Sequence, residues 1–152
     1  MLPGAFPAGR AQGTLQGLAK MSRRLNDLSP GFRPVAIELL ARLTEAGICV
    51  MIIDTLRTAE EQAANIARGV SWTQNSKHLT GDAIDVCPYS QFNLHGPDKL
   101  QWDAADPVWQ RIGEIGESLG LRWGGRWKQR DLGHFEYVKP SVISPEELWG
   151  QA

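Results

Sequence analysis

Several features that often decide a protein's class are scarce in this sequence. Cysteine occurs only at Cys49 and Cys87, with no Cys-x-x-Cys pair, which argues against a cysteine-based zinc site. Both lie in apolar, strand-like surroundings and read as buried thiols of a reducing compartment, a disulfide staying open if their strands are neighbours. A charge excess is missing too. The formal net charge is −1, so no nucleic-acid partner is expected, and basic pairs such as Arg23-Arg24 read as solvated surface. No stretch is long and apolar enough to span a bilayer, so no stable membrane association is expected. The opening MLPGAFPAGRAQGTLQG lacks a charged start followed by an apolar run. No secretory signal is expected; the chain would be made in the cytoplasm and any export would need another route. There is also no repeat, low-complexity tract or linker.

What is present describes one globular domain with a single core: 152 residues, 42% hydrophobic and 22% charged. Residues 1–13, rich in Gly, Pro and Ala, are expected to be loosely held, and 14–152 to form the domain. Leu15, Leu18, Met21, Leu25 and Leu28 recur at helical spacing and predict a first amphipathic helix. Ser29-Pro30 predicts the cap and first position of a second helix, with Phe32, Val35, Ala36, Leu39, Leu40 and Leu43 as its buried stripe and Gly47 as its stop. Ile48 to Ile53 reads as a buried strand. Thr58-Ala59-Glu60-Glu61 is a capping box opening a helix that ends near Gly69.

Residues 70–75 read as polar loop. After Gly81, Asp82 to Val86 alternates as a strand does, and Pro88 ends it. Residues 89–102 predict a surface loop whose length suggests a rim or lid, and His95 reads as an exposed loop histidine. Asp106-Pro107 opens another helix, with Val108, Ile112, Ile115 and Leu119 inward and Gly120 as its stop. A strand at Leu121-Arg122-Trp123, a break at Gly124-Gly125, a strand from His134 to Val138 and a short helix from Ser144 complete the chain. The expected class is α+β, a small antiparallel sheet with packed helices and a single zinc site.

The chemistry concentrates in Ser76-Lys77-His78-Leu79-Thr80-Gly81-Asp82-Ala83-Ile84-Asp85 and Asp131-Leu132-Gly133-His134-Phe135-Glu136. Two imidazoles and a carboxylate, with a further acid three residues before one imidazole, make the inventory of a catalytic zinc site. His78, His134 and one of Asp82 or Asp85 could supply the shell. Spacing alone does not separate the aspartates, but Asp85 shares a strand face with small Ala83 and leaves Ile84 for the core. A hydrolytic site also needs a proton acceptor, and either Asp131 or Glu136 would serve. Arg57, where a strand ends and a helix begins, would stabilise an oxyanion, or would form a surface ion pair.

The ordered set Leu56-Arg57-Thr58-x-x-Glu61-Gln62, Ser76-x-His78-x-x-Gly81-x-Ala83-x-Asp85, Trp123-Gly124-Gly125 and Asp131-x-x-His134-Phe135-Glu136 resembles the zinc peptidases of bacterial cell-wall peptides. It looks most like the phage-type L-alanyl-D-glutamate endopeptidases, over about Arg23 to Val138. The resemblance implies Zn2+ held by His78, Asp85 and His134, Asp131 as acid/base, and Arg57 facing a substrate carbonyl or carboxylate. It implies Ser76 lining the site and Glu136 orienting a ligand imidazole. The substrate implied is a peptidoglycan stem peptide, cut by a monomeric phage or prophage lysin that reaches the wall through a membrane pore. A D,D-carboxypeptidase or dipeptidase removing terminal D-alanine, and a non-catalytic wall-binding module, are the other readings. One departure is Arg126, where relatives often carry an acid after the double glycine.

Overall fold

The computed structural model describes residues 21–89, 100–140, 146 and 150. Among these residues ten short elements follow one another. A 3-10 turn at Leu25–Asp27 precedes helix α1 (Phe32–Glu45), strand β1 (Val50–Asp54) and helix α2 (Ala59–Ala67). A second 3-10 turn (Lys77–Thr80) leads into β2 (Ala83–Pro88), followed by α3 (Val108–Ser118) and β3 (Arg122–Trp123). A third 3-10 turn (Gly124–Arg126) and β4 (His134–Glu136) close the series. The strands form one antiparallel sheet in the order β1-β2-β4-β3. This is the α+β class expected.

The helical stripe of α1 buries Phe32, Ala36, Leu39 and Leu43 against Ile84 and Val86 of β2 and Trp109 and Ile112 of α3. Full burial of such side chains is worth about 1.5–3 kcal/mol each, so this layer dominates the stability of the sheet. Glycine rather than bulk sets how closely α3 approaches. A Cβ at Gly113 would fall 2.3 Å from the Trp123 ring, and one at Gly116 2.2 Å from Phe135. Trp109 is also buried in α3, while Val108, Ile115 and Leu119 pack only at the edge of the core.

Several expectations shift. The described part of the expected first helix is not helical: after residues 21–24, Leu25–Asp27 forms one 3-10 turn, closed by the Asp27 N–H on the Arg24 carbonyl. Its expected start at Leu15 and Leu18 lies outside those residues. Helix α1 begins at Phe32 instead of Pro30: the Ser29 carbonyl accepts the N–H groups of Phe32 and Arg33, but Pro34 has no N–H to give the Pro30 carbonyl. Strand β4 ends at Glu136, beyond which the Tyr137 N–H turns to the Asp82 carbonyl and Val138 is half exposed. The loop with His95 and most of the helix expected from Ser144 lie outside the described residues. Its two ends do meet, through a bridge from Tyr89 to Leu100 and the Gln101 N–H on the Pro88 carbonyl. Cys87 lies opposite Met51 on β1 and Cys49 immediately precedes that strand; both are thiols. No helix among the described residues is long and apolar enough to cross a membrane.

Candidate metal centre

The site is assembled on one rung of the sheet. Asp85 of β2 lies opposite His134 of β4, so two potential ligands face each other by register alone. The third arrives on the turn before β2. Ser76 caps that turn, its Oγ accepting the His78 N–H at 3.3 Å. Gly81 ends it at φ 71°, where a Cβ would meet the Asp27 carbonyl oxygen at 2.8 Å. A side chain there would meet both backbone strain and a backbone clash.

His78 is 1% exposed. Its Nδ1 lies 2.7 Å from the Thr55 carbonyl oxygen. A carbonyl can only accept, so Nδ1 carries the proton and Nε2 offers a lone pair in the neutral ring. That Nε2 is buried without a hydrogen bond, although Asp85 Oδ1 stands 3.1 Å away. A ring nitrogen and a carboxylate oxygen held that close need a proton or a metal ion between them, so the pair makes a place for a cation. The backbone carbonyl behind His78 is the kind of partner that orients metal-ligating imidazoles. His134 Nδ1 is 2.8 Å from the same Asp85 Oδ1, and its Nε2 is 3.2 Å from Glu136 Oε1. One ligand atom from each of His78, Asp85 and His134 lies within 4.8 Å of the others. These residues fit a small ion that accepts nitrogen and oxygen donors.

The charges respond to this crowding. Burial alone would raise the pKa of Asp85, but the imidazoles of His78 and His134 override it and hold the carboxyl well below the usual range. Burial depresses His134, yet hydrogen bonds to Asp85 and Glu136 push it up to about 10. Asp131 moves the other way from Asp85: burial first, then the Asp85 charge, raise its carboxyl. Glu136 is lowered chiefly by its hydrogen bond to His134.

The cluster opens on a cleft of about 470 Å³ whose lining includes Arg57, Ser76, Asp131 and Glu136. Asp82, the alternative ligand, points elsewhere. It accepts from Ser29 Oγ at 2.6 Å and Thr80 Oγ1 at 2.7 Å, tying the start of α1 to the turn. Arg57 is more constrained than its position at a strand end suggested. Its Nε donates to Asp54 Oδ2 at 2.9 Å, its Nη2 donates to the same oxygen, and its Nη1 donates to Gln62 Oε1 at 2.5 Å. Its Nη2 still stands 3.9 Å from Asp85 Oδ2. Arg126 turns out of the cleft, with Nε and Nη2 each 2.9 Å from a Glu117 oxygen and its guanidinium over the Trp123 ring.

Sequence reasoning missed Asp54, Thr55 and the tryptophans. Trp72, in a stretch read as polar loop, stands edge-on to Trp127, which in turn lies 5.1 Å from the His134 ring. Both tryptophans line the cleft. An aromatic inside a polar stretch was the available signal. The segment carrying Asp131 and His134 is held from two sides. Gly124 accepts the Asp131 N–H at 3.0 Å, and the Trp123 indole donates to the Leu132 carbonyl at 2.8 Å. Gly133 presses on β2 so closely that a Cβ would sit 2.3 Å from the Val86 carbonyl oxygen.

Fold and site together define an α+β domain built around a buried His-Asp-His cluster that can hold a metal ion. The sequence profile of the phage L-alanyl-D-glutamate peptidase family matches residues 17–141, and the chain belongs to that family. The L-alanyl-D-glutamate peptidase of Listeria phage A118 is 35% identical over 104 residues, 68% of this chain and 35% of that protein. That of Escherichia phage T5 is 37% identical over 84 residues, 50% of this chain and 57% of that protein. The chain thus spans roughly a third to somewhat over half the length of these relatives. Among solved structures, the Serratia marcescens L-Ala D-Glu endopeptidase ChiX is similar at a TM-score of 0.58 and 26% identity, covering 75% of this chain and 83% of ChiX.

Proposed function

We propose that this chain is a zinc-dependent peptidase that cleaves the bond between L-alanine and D-glutamate in peptidoglycan stem peptides. The observation that carries the reading is the His78 imidazole, buried with Nδ1 given to a backbone carbonyl and Nε2 aimed without a hydrogen bond at Asp85. Membership of the phage L-alanyl-D-glutamate peptidase family supports the substrate class. His78 Nε2, Asp85 and His134 Nδ1 would hold the ion. When bound, zinc supplies Lewis acidity, lowering the pKa of a water to about 7 and polarising a carbonyl.

The chain's own groups then divide the remaining work. Asp131, in the same cleft and with its pKa raised by burial, accepts the proton of the attacking water and returns it to the leaving amine nitrogen. Such transfer is worth about 10²–10⁴-fold in rate. Glu136 accepts the Nε2 proton of His134, leaving Nδ1 as the ligand atom. Arg57, clamped by Asp54 and Gln62, presents a fixed positive charge beside the site that favours negative charge on the attacked carbonyl oxygen. Ser76 holds the His78 turn in place through its cap.

The test is mass spectrometry of the products from L-Ala-γ-D-Glu-diaminopimelate-D-Ala-D-Ala, with zinc and again with a chelator. Release of free L-alanine, abolished by chelation, is the expected result. Loss of D-alanine from the other end would replace this reading with a carboxypeptidase. Absence of any cleavage, on this peptide and on crosslinked wall, would leave a binding module.

A further inference from the structure

Two guanidinium groups line the cleft among the described residues, Arg57 and Arg122, and they differ in what is left of them. Arg57 is buried, with its fork engaged by Asp54 and Gln62. Arg122, on β3, has a side chain 63% exposed and no hydrogen bond among the described residues. The charge beside it is Glu136 Oε2, 3.6 Å from its Nη1, beyond hydrogen-bond reach. Its donors are therefore available to a ligand.

Register fixes where that ligand group would be. Arg122 lies opposite Glu136, two residues along β4 from His134 and on the same face of the sheet. Same-face neighbours on a strand are about 6.6 Å apart, so Arg122 stands one step outside the rung that bears Asp85 and His134. The long arginine side chain spans that step.

The chemistry of the proposed substrate supplies the matching group, and the inference rests on that reading. In a γ-linked D-glutamate the leaving nitrogen and a free carboxylate share one Cα. Standard bond lengths put the carboxylate carbon about 2.5 Å from that nitrogen. An anion so near the reacting atoms cannot avoid the cleft, where Asp85, Asp131 and Glu136 already concentrate negative charge. We infer that Arg122 is a specificity-determining residue that recognises the free α-carboxylate of the residue on the leaving side of the scissile bond. Displacing the loose contact with Glu136 also leaves Glu136 free to keep its hydrogen bond with His134.

The experiment compares L-Ala-γ-D-Glu-L-Lys-D-Ala with the same peptide carrying an α-carboxamide in place of the α-carboxylate. Steady-state kinetics are measured on the zinc-loaded wild type, Arg122→Met and Arg122→Lys. Binding of both peptides to Asp131→Asn and to Asp131→Asn/Arg122→Met is measured by calorimetry. The wild type is expected to favour the carboxylate peptide through KM by about tenfold, a usual size for one charge-assisted contact at a half-exposed site. Arg122→Met should bring the ratio near one, and Arg122→Lys should restore part of it. The same loss should appear in the binding ratio. An equal ratio in wild type and Arg122→Met, or no preference in the wild type, would overturn the inference while leaving the cleavage reading standing. So would an equal fall on both peptides. If the wild type cuts neither peptide, the proposed cleavage itself fails, and the inference with it.

Discussion

At the scale of single residues, the His78-Asp85-His134 cluster and Asp131 separate by their surroundings. Asp85 sits between two imidazoles and stays ionised, whereas Asp131 is buried beside that ionised group and is pushed toward its neutral form. Asp131→Asn should therefore cut turnover by at least about 10²-fold while zinc content, read by atomic emission on the purified variant, stays stoichiometric. Loss of zinc along with activity would count against the assignment. In the metal-free chain, His134 carries a pKa of about 10 against an ordinary 6.5. Its contribution to stability is complete below 6.5 and fades as pH rises toward 10, as the folded state gives up a proton it held more tightly. Asp85 works oppositely: its contribution is complete above 3.8 and fades as pH falls. The metal-free chain should melt at a higher temperature at pH 6 than at pH 9. An unchanged or higher Tm at pH 9 would refute this. That Asp85 rather than Asp82 would join His78 and His134 was legible from the sequence, because strand alternation after Gly81 puts Asp85 on the face of Ala83, and the structure brings these three together. The engagement of Arg57 was not, since Asp54 and Gln62 meet it only once β1 and α2 are packed.

At the scale of elements, the sheet sets Asp85 opposite His134 and the glycines let the elements close on them. The Thr58–Glu61 capping box, with both reciprocal hydrogen bonds, starts α2 as its four-residue signature indicates. Such local signals survive folding, and Gly47, Gly69, Gly81 and Gly120 all take positive φ at the stops and turns expected. Of the periodic run from Leu15 to Leu28, the part from Met21 onward is not an α-helix but a short extended stretch and the Leu25–Asp27 3-10 turn; period alone does not separate the two. The roles of Gly113, Gly116 and Gly124 were equally hidden, each depending on a ring or a loop distant in sequence. Gly124 is the most consequential. A Cβ there would lie 2.5 Å from the Asp131 carbonyl oxygen and 3.2 Å from His134 Cβ. Gly124→Ala should cost about 1–3 kcal/mol by overpacking in urea denaturation. It should also weaken zinc affinity by about 10–100-fold, the usual effect of disturbing the support of a ligand. A variant with full zinc affinity would show that the turn does not support the site.

At the scale of the whole molecule, a metal held by the His-Asp-His cluster would be linked to the fold by mass action. An ion that binds only the folded chain stabilises it by about 2.7 kcal/mol at a hundred times its Kd. Zinc should raise the melting temperature, a chelator should reverse the gain, and His78→Ala should abolish the response. A Tm indifferent to zinc would argue that the cluster is not a metal site. The opposition of Asp85 and His134 on one rung has a mechanical consequence as well. These residues are 49 apart in sequence, so an ion held between them would tie β2 to β4 across that segment for as long as the chain stays folded. Pulling β4 from β2 would have to break coordination bonds before backbone ones. The same chain would be stiff in zinc and compliant in chelator, a removable staple across the middle of its sheet.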